Sequence, residues 1–170
     1  RTFAQLNTSY WDQHDLWVDP CDPRHLVLGN DGGAAISYDG GHSWSSVFNQ
    51  PTAELYHVSG DSRVPYRAYT AQQDSSTLSM PSRSDRGPIS EMDWYDVGGG
   101  ESGHIVVRPD NPDIVFASDL AGVITRYDHR TLQLHDISPW PEDIQGWPAR
   151  ALPYRFNWSL PLLLSHHDPD

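Results

Sequence analysis

Three aspartates recur in this 170-residue chain just after short apolar runs, at Asp31, Asp74 and Asp119. Two carboxylates that face each other across a cleft can act as general acid and general base in the hydrolysis of a glycosidic bond, at about 6.5–9.5 Å for inversion. Aspartate is also common in turns, because its side chain accepts hydrogen bonds from nearby backbone N–H groups. Both interpretations stay open. Asp31 and Asp74 are the first catalytic candidates, and Asp119 follows them.

Other residue types with binding chemistry stand near these positions. The glycine run 98–100 would let the backbone approach a ligand closely, although it also suits a plain connection. Trp140 and Trp147 lie in a proline-rich stretch, where flat rings can either stack on sugars or fill a core. The candidate ligand-binding residues are therefore Gln73, Asp96, Glu101, Trp140 and Trp147.

We expect no cofactor and no catalytic metal. The nine histidines are scattered, and neither His14-Asp15 nor His166-His167-Asp168 has the spacing of a zinc site. A structural Ca²⁺ on the aspartate-rich loops stays open. The glycine run is not followed by lysine, which argues against a phosphate-binding loop.

An internal repeat organises the chain. Residues 22–39 align with residues 111–128. In both copies a proline is followed by an apolar run, a turn and a second apolar run that ends in Tyr-Asp. A weaker copy covers residues 65–79, and Asp168-Pro169 begins a fourth. The equivalent prolines at positions 23, 65, 112 and 169 are 42, 47 and 57 residues apart.

Several short strands per period of about 40–50 residues are typical of a β-propeller. A β-sandwich with similar hairpins is the alternative. We predict an all-β chain with little helix, forming a single partial propeller domain over residues 1–170 with blades of four antiparallel strands. The approximate blades are 14–50, 55–92, 103–138 and, as the start of the next, 156–170. The strands predicted in the first blade are His14–Asp19, Leu26–Gly29, Ala34–Tyr38 and Trp44–Phe48.

Propeller topology predicts which loops meet. The connection between the second and third strands of each blade opens on the same face as the connection to the next blade. We therefore expect one rim to be formed by residues 30–33, 72–75 and 118–122 together with residues 49–55, 82–103 and 139–156. Most of the candidate residues above lie in these segments.

The segment from Ser37 to Trp44 has the form Ser-x-Asp-x-Gly-x-Ser-Trp, with Asp39 and Gly41 at the central positions. Asp39 is expected to accept hydrogen bonds from its own tight turn, and Trp44 to pack beneath it. This segment resembles the Asp-box motif, and the resemblance implies a structural role for these residues.

On the Asp-box, Gly29–Gly33 and Gly98–Gly103, the chain resembles the sortilin-like Asp-box (bacterial neuraminidase repeat) propellers that include glycosyl-hydrolase-like proteins. It resembles the xyloglucanases more distantly, through Asp31-Gly32-Gly33. The resemblance implies an exported propeller that hydrolyses glycosidic bonds in an oligosaccharide or polysaccharide. The alternative that it implies is a non-catalytic propeller that binds a protein or peptide.

Composition excludes some partners. With 23 acidic and 11 basic residues, the formal charge is −12, which argues against duplex nucleic acid or an anionic membrane surface as the ligand. No segment is long and apolar enough to span a membrane. Three blades and the start of a fourth would leave unpaired strand edges. We therefore expect that the chain is a piece of a longer protein or that it self-associates.

Overall fold

The computed structural model describes residues 3–49, 53–140, 142, 144, 146–165 and 167. Ten strands cross this part of the chain and form three antiparallel sheets, and its helical elements are short 3₁₀ turns. The predicted all-β class and low helix content are confirmed. None of the described helical turns has the length or apolar character to cross a bilayer. The predicted fourth repeat at Asp168-Pro169 lies outside the described residues.

The chain divides into two compact units, Arg1–Ala53 and Glu54–Asp170. The first unit contains β1 (Gln13–Val18), β2 (Leu26–Asn30) and β3 (Gly33–Ser37). The second contains β4 (Leu55–Gly60), β5 (Arg67–Gln72), β6 (Thr77–Pro81), β7 (Ile105–Val107), β8 (Ile114–Ser118), β9 (Ile124–Asp128) and β10 (Gln133–Asp136). The 3₁₀ turns are Val47–Asn49, Leu120–Gly122 and Ala149–Ala151.

In the first unit, β1, β2 and β3 form a meander in which each strand pairs with the next. The middle strand alternates, with Leu26 and Leu28 buried and the residues between them more exposed. This period of two is what a half-buried strand requires. Ala35 and Val47 are the other buried apolar residues in the described part of this unit.

The predicted fourth strand at Trp44–Phe48 is wrong. Ser45 lies beside β3, where its N–H donates to the Ile36 carbonyl and its hydroxyl accepts the Ile36 N–H, each at 2.9 Å. The hydroxyl thus replaces the backbone carbonyl that a continuing strand would supply. Ser46 then accepts the Phe48 N–H at 3.1 Å, and the chain turns into the 3₁₀ segment Val47–Asn49.

The second unit holds two sheets, with strand orders β4-β5-β6 and β7-β8-β9-β10. The central strand β8 is an almost uninterrupted apolar run, and four of its five residues are buried. The outer strand β10 is exposed along its whole length. The core of the unit consists of Tyr69, Val97, Ile105, Val115, Ala117 and Tyr127, with Val107 packed against it.

The three aligned repeats correspond to three equivalent hairpins, β2–β3, β5–β6 and β8–β9. Each repeat proline precedes the second strand of its meander. In the second repeat, Tyr95 makes a short antiparallel bridge to Ser79, where a fourth strand would pair. In the third repeat, β10 is a complete fourth strand, as predicted for residues 103–138.

Candidate functional site

Three carboxylates from three separate loops line one cleft of the second unit. The β5–β6 turn contributes Asp74, the glycine-rich segment before β7 contributes Glu101, and the β8–β9 turn contributes Asp119. The cleft has a volume of about 440 Å³, within the roughly 300–1,000 Å³ of small-molecule sites. Its other lining residues are Ser75, Gly100, Leu120, Ala121 and Val123.

Glu101 and Asp74 are in direct contact. The Asp74 backbone N–H donates to Glu101 Oε2 at 2.9 Å. Burial raises the pKa of Glu101, and the Asp74 carboxylate raises it further because a second negative charge nearby disfavours ionisation. The Asp74 N–H opposes part of this rise. Folding therefore favours the protonated form of Glu101.

Asp119 is held at the end of β8. Its Oδ1 accepts the Leu120 N–H at 2.7 Å. Burial raises the pKa of Asp119, and the charge of Glu101 adds to the rise. The cleft thus holds two carboxyl groups whose protonation burial favours.

Close packing explains the glycine run. A methyl group built on Gly100 would overlap the Asp119 carboxylate, and one built on Gly103 would overlap the Ser118 carbonyl. Gly99 has φ +70°, and its Cβ would lie 2.6 Å from the same carbonyl oxygen. Because these glycines have no side chains, the loop can pack directly against the end of β8. This packing places Glu101 in the same cleft as Asp119.

Gln73 supports Asp74 from within the same turn, because its Nε2 donates to Asp74 Oδ1 at 2.9 Å. The Tyr56 hydroxyl donates to Gln73 Oε1, and the indole Nε1 of Trp158 donates to the Tyr56 hydroxyl oxygen at 3.1 Å. A chain of hydrogen bonds therefore connects Trp158 to a cleft carboxylate.

An apolar groove of about 290 Å³ adjoins the cleft, since Leu120 and Ala121 line both. Trp147 lines this groove and is 44% exposed. The remaining lining residues are Ile144, Gly146, Leu152, Phe156, Asn157 and Trp158. Trp140 instead packs edge-on against Tyr154, with ring centroids 5.4 Å apart.

Asp31 and Asp96 have local partners. Asp31 lies in the β2–β3 turn of the first unit and pairs with His14 across the sheet. Asp96 accepts the Gly98 N–H at 2.7 Å, and its Oδ1 lies 2.8 Å from the Thr77 hydroxyl. Asp96 thus braces the start of the glycine run and is not among the residues that line the carboxylate cleft.

The turn from Ser37 to Trp44 forms the local network expected from its sequence. Asp39 accepts the Ser43 N–H at 2.9 Å and the hydroxyls of Ser43 and Ser37 at 2.5 and 2.8 Å. These bonds, that of the Ser43 hydroxyl foremost, lower the pKa of Asp39 to about 2. Gly41 has φ +89°, and the half-buried Trp44 lies beside it. All of these partners belong to the turn itself.

Sequence reasoning did not single out Tyr56, Phe156 or Trp158. Phe156 and Trp158 share a signal with Tyr154: aromatic residues at alternate positions within one short segment. Tyr56 has no comparable signal, because its importance depends on the tertiary contact with Trp158.

No known protein family matches the chain, and no curated protein matches it. Among solved structures, the chain is similar to an auxiliary nutrient binding protein from Bacteroides thetaiotaomicron, with 15% sequence identity and a TM-score of 0.38. The alignment covers 74% of this chain and 30% of that protein. A similarity of this degree supports no statement about function.

Proposed function

We propose that the cleft of Asp74, Glu101 and Asp119 binds a glycan and hydrolyses its glycosidic bond. The observation that carries the proposal is that three loops bring three carboxyl groups to one cleft, where burial raises the pKa of two of them. Glycoside hydrolysis needs one carboxyl group that retains a proton and another that is ionised. The charge of Asp74 disfavours ionisation of Glu101, and an ionised Glu101 would disfavour ionisation of Asp119, so the cleft favours one protonated and one ionised carboxyl group.

Glu101 is the general acid in this proposal, because both burial and the Asp74 charge keep its proton in place. It donates that proton to the leaving glycosidic oxygen. Asp119 is the second carboxylate and accepts a proton from the attacking water. Asp74 is a positioning residue, since its backbone N–H orients the Glu101 carboxyl group and its charge maintains the protonated form.

Carboxamide variants test these roles. Glu101→Gln and Asp119→Asn are each expected to reduce the release of reducing ends from neutral oligosaccharides by about 10²-fold or more. Asp110→Asn is the matched control, because Asp110 is exposed and precedes β8 at the end opposite Asp119. The proposal fails if the wild-type protein hydrolyses no member of the panel, or if the three variants lose activity equally. Asp31→Asn in the same assay tests the separate prediction that Asp31 is catalytic.

A second candidate is the binding of a cationic peptide without turnover. None of the eight residues that line the carboxylate cleft is basic, and the chain as a whole carries a formal charge of −12. Such a site would attract arginine or lysine side chains. Calorimetric titration with an arginine-containing peptide, in which Glu101→Gln weakens binding and no glycan competes, would favour this candidate over hydrolysis.

We also propose that the three sheets are blades of an Asp-box β-propeller of the sortilin-like kind, and that the protein is exported. The supporting observations are the three equivalent hairpins and the Asp-box turn. The full open reading frame tests both points. It should contain further copies of the repeat and an export signal.

A further inference from the structure

We propose that the apolar groove beside the carboxylate cleft is a second sugar subsite, in which one pyranose ring stacks on Trp158. The ligand is then an oligosaccharide of at least two rings rather than a monosaccharide. This inference rests on the proposed function and specifies its substrate class.

Continuity of the two cavities is the first argument. Leu120 and Ala121 form a wall common to the cleft and the groove. A ligand whose reacting bond lies among the carboxylates therefore reaches the groove by passing one short turn. The combined space suits a chain of rings better than one ring.

The chemistry of the two linings is the second argument. The cleft presents carboxylates, which accept hydrogen bonds from hydroxyl groups, whereas the groove presents Trp147, Phe156 and Trp158. A pyranose ring has both features, since its hydroxyls are polar and its C–H face is apolar. Trp158 is 54% exposed, so it offers ring surface to a ligand.

The neighbours of two cleft carboxylates form hydrogen bonds with the segment that carries Trp158. The buried Ser102, next to Glu101, donates its hydroxyl to the Trp158 carbonyl at 2.7 Å. Ser118, next to Asp119, lies 2.9 Å through its hydroxyl from the Leu160 carbonyl. These contacts hold residues 158–160 in register with the loops that carry the acid groups.

The hydrogen bonds from Trp158 through Tyr56 and Gln73 to Asp74 are the third argument. They fix the indole edge, so that the ring face rather than the N–H is available to the ligand. They also connect the orientation of the groove tryptophan to that of Asp74. We therefore assign Trp158 as a specificity-determining residue for ligand length.

A length series tests the inference. The probes are gluco-, manno- and xylo-oligosaccharides of one to four rings, titrated calorimetrically against the full chain. In the wild type, affinity should rise by about tenfold between a ligand confined to the cleft and one that reaches the groove. Trp158→Ala should abolish that step and weaken three- and four-ring ligands more than one-ring ligands, whereas Trp158→Phe should retain part of the step.

Trp11→Ala is the matched control, because Trp11 is an exposed tryptophan of the first unit. Near-ultraviolet circular dichroism identifies any variant that fails to fold, and Tyr56→Phe provides a second variant that keeps the groove lining but breaks the hydrogen-bond chain. The inference is overturned if the wild type shows no length step, or if Trp158→Ala weakens one-ring and four-ring ligands equally. If no sugar of any length binds, the proposed function itself fails, which is a different result from sugar binding without a step at Trp158.

Discussion

At the scale of a single residue, the proposed hydrolysis depends on Glu101 being protonated. Burial is the main reason that its pKa rises, and the neighbouring Asp74 carboxylate is a further one. A general acid acts only while it is protonated, so activity should fall as pH rises through this raised pKa.

Asp74→Asn should therefore move the alkaline limb of the pH–rate profile to lower pH. The substitution removes a negative charge beside Glu101, so Glu101 loses its proton more easily. The measurement is kcat/KM against pH on the best oligosaccharide substrate, with Asp110→Asn as control. An unchanged profile would contradict the role assigned to Asp74, and loss of turnover at every pH would make Asp74 itself catalytic.

His129 is the second group whose proton matters at this scale. Its Nε2 lies 3.1 Å from the Tyr69 hydroxyl, and its Nδ1 lies 2.7 Å from the Tyr95 hydroxyl. Tyr69 donates its hydroxyl proton to Asp61 at 3.0 Å, which leaves its oxygen to accept from Nε2. Nδ1 then accepts from Tyr95, so the neutral imidazole satisfies both partners. Burial, with the nearby Arg63 and Arg67, lowers the pKa of His129 to about 4.

Stability should therefore decrease as pH falls from about 6.5 to 4. Over this range His129 binds a proton in the unfolded state but stays neutral in the folded state. The free energy of unfolding therefore falls by at most about 3 kcal/mol. Above pH 6.5 the effect vanishes, because His129 is neutral in both states. Denaturant unfolding of the wild type, His129→Gln and the exposed-site control His135→Gln at pH 7.5, 6 and 5 measures it. A wild-type slope that survives in His129→Gln would assign the loss to other groups.

At the scale of elements, the glycine-rich segment before β7 decides the shape of the cleft. Its backbone passes so close to the end of β8 that side chains at Gly99 or Gly103 would overlap the strand, and one at Gly100 would overlap the Asp119 carboxylate. The β8–β9 turn is shaped by a similar contact, because the Phe156 ring packs on Gly122. The glycine-rich segment, the β8–β9 turn and the segment that carries Phe156 thus pack together as one wall.

Gly100→Ala should weaken ligand binding, because its methyl group must displace the Asp119 carboxylate. The overlap is with the end of the Asp119 side chain, which can move into the cleft, so folding stability should fall only slightly, by less than about 1 kcal/mol. Gly60→Ala is the control, since a Cβ there would lie 3.6 Å from the Arg67 carbonyl oxygen, an ordinary contact. Thermal unfolding and oligosaccharide titration measure both effects. Equal behaviour of the two variants would show that the close approach at Gly100 has no consequence.

At the scale of the whole molecule, exposed apolar side chains coexist with a large negative charge. Strand β1 forms one edge of its sheet, and Leu16 and Val18 on it are 49% and 44% exposed. Edge strands with apolar side chains tend to pair with other strands. A proposed consequence is contact with a second copy of the chain.

Replacing Leu16 and Val18 together by lysine should reduce self-association, because both apolar contact and strand pairing are weakened. Sedimentation velocity over a range of protein concentrations measures it. Gln13→Lys adds a charge to the same strand without removing an apolar side chain and is the control. A wild-type mass that stays monomeric at every concentration would contradict the prediction.

Prediction from the sequence was most successful where the signal is local. The hairpins β2–β3, β5–β6 and β8–β9 follow from apolar runs separated by glycine, aspartate and serine. Prediction was wrong at Trp44–Phe48, where a strand-like run of residues turns away because Ser45 and Ser46 bond the backbone through their side chains. Such competition between side chain and backbone is not visible in composition.

The amino-acid order by itself determined the all-β class, the repeated hairpins and the hydrogen-bonded turn from Ser37 to Trp44, because these depend on contacts between residues close in the chain. It also identified Asp74, Glu101 and Asp119 as unusual. Only the tertiary structure decided that these three share one cleft and that Asp31 pairs with His14 in the other unit. It also decided that Trp158, about a hundred residues from Tyr56, bonds to it. Contacts over such separations depend on the packing of whole sheets, which residue spacing along the chain does not specify.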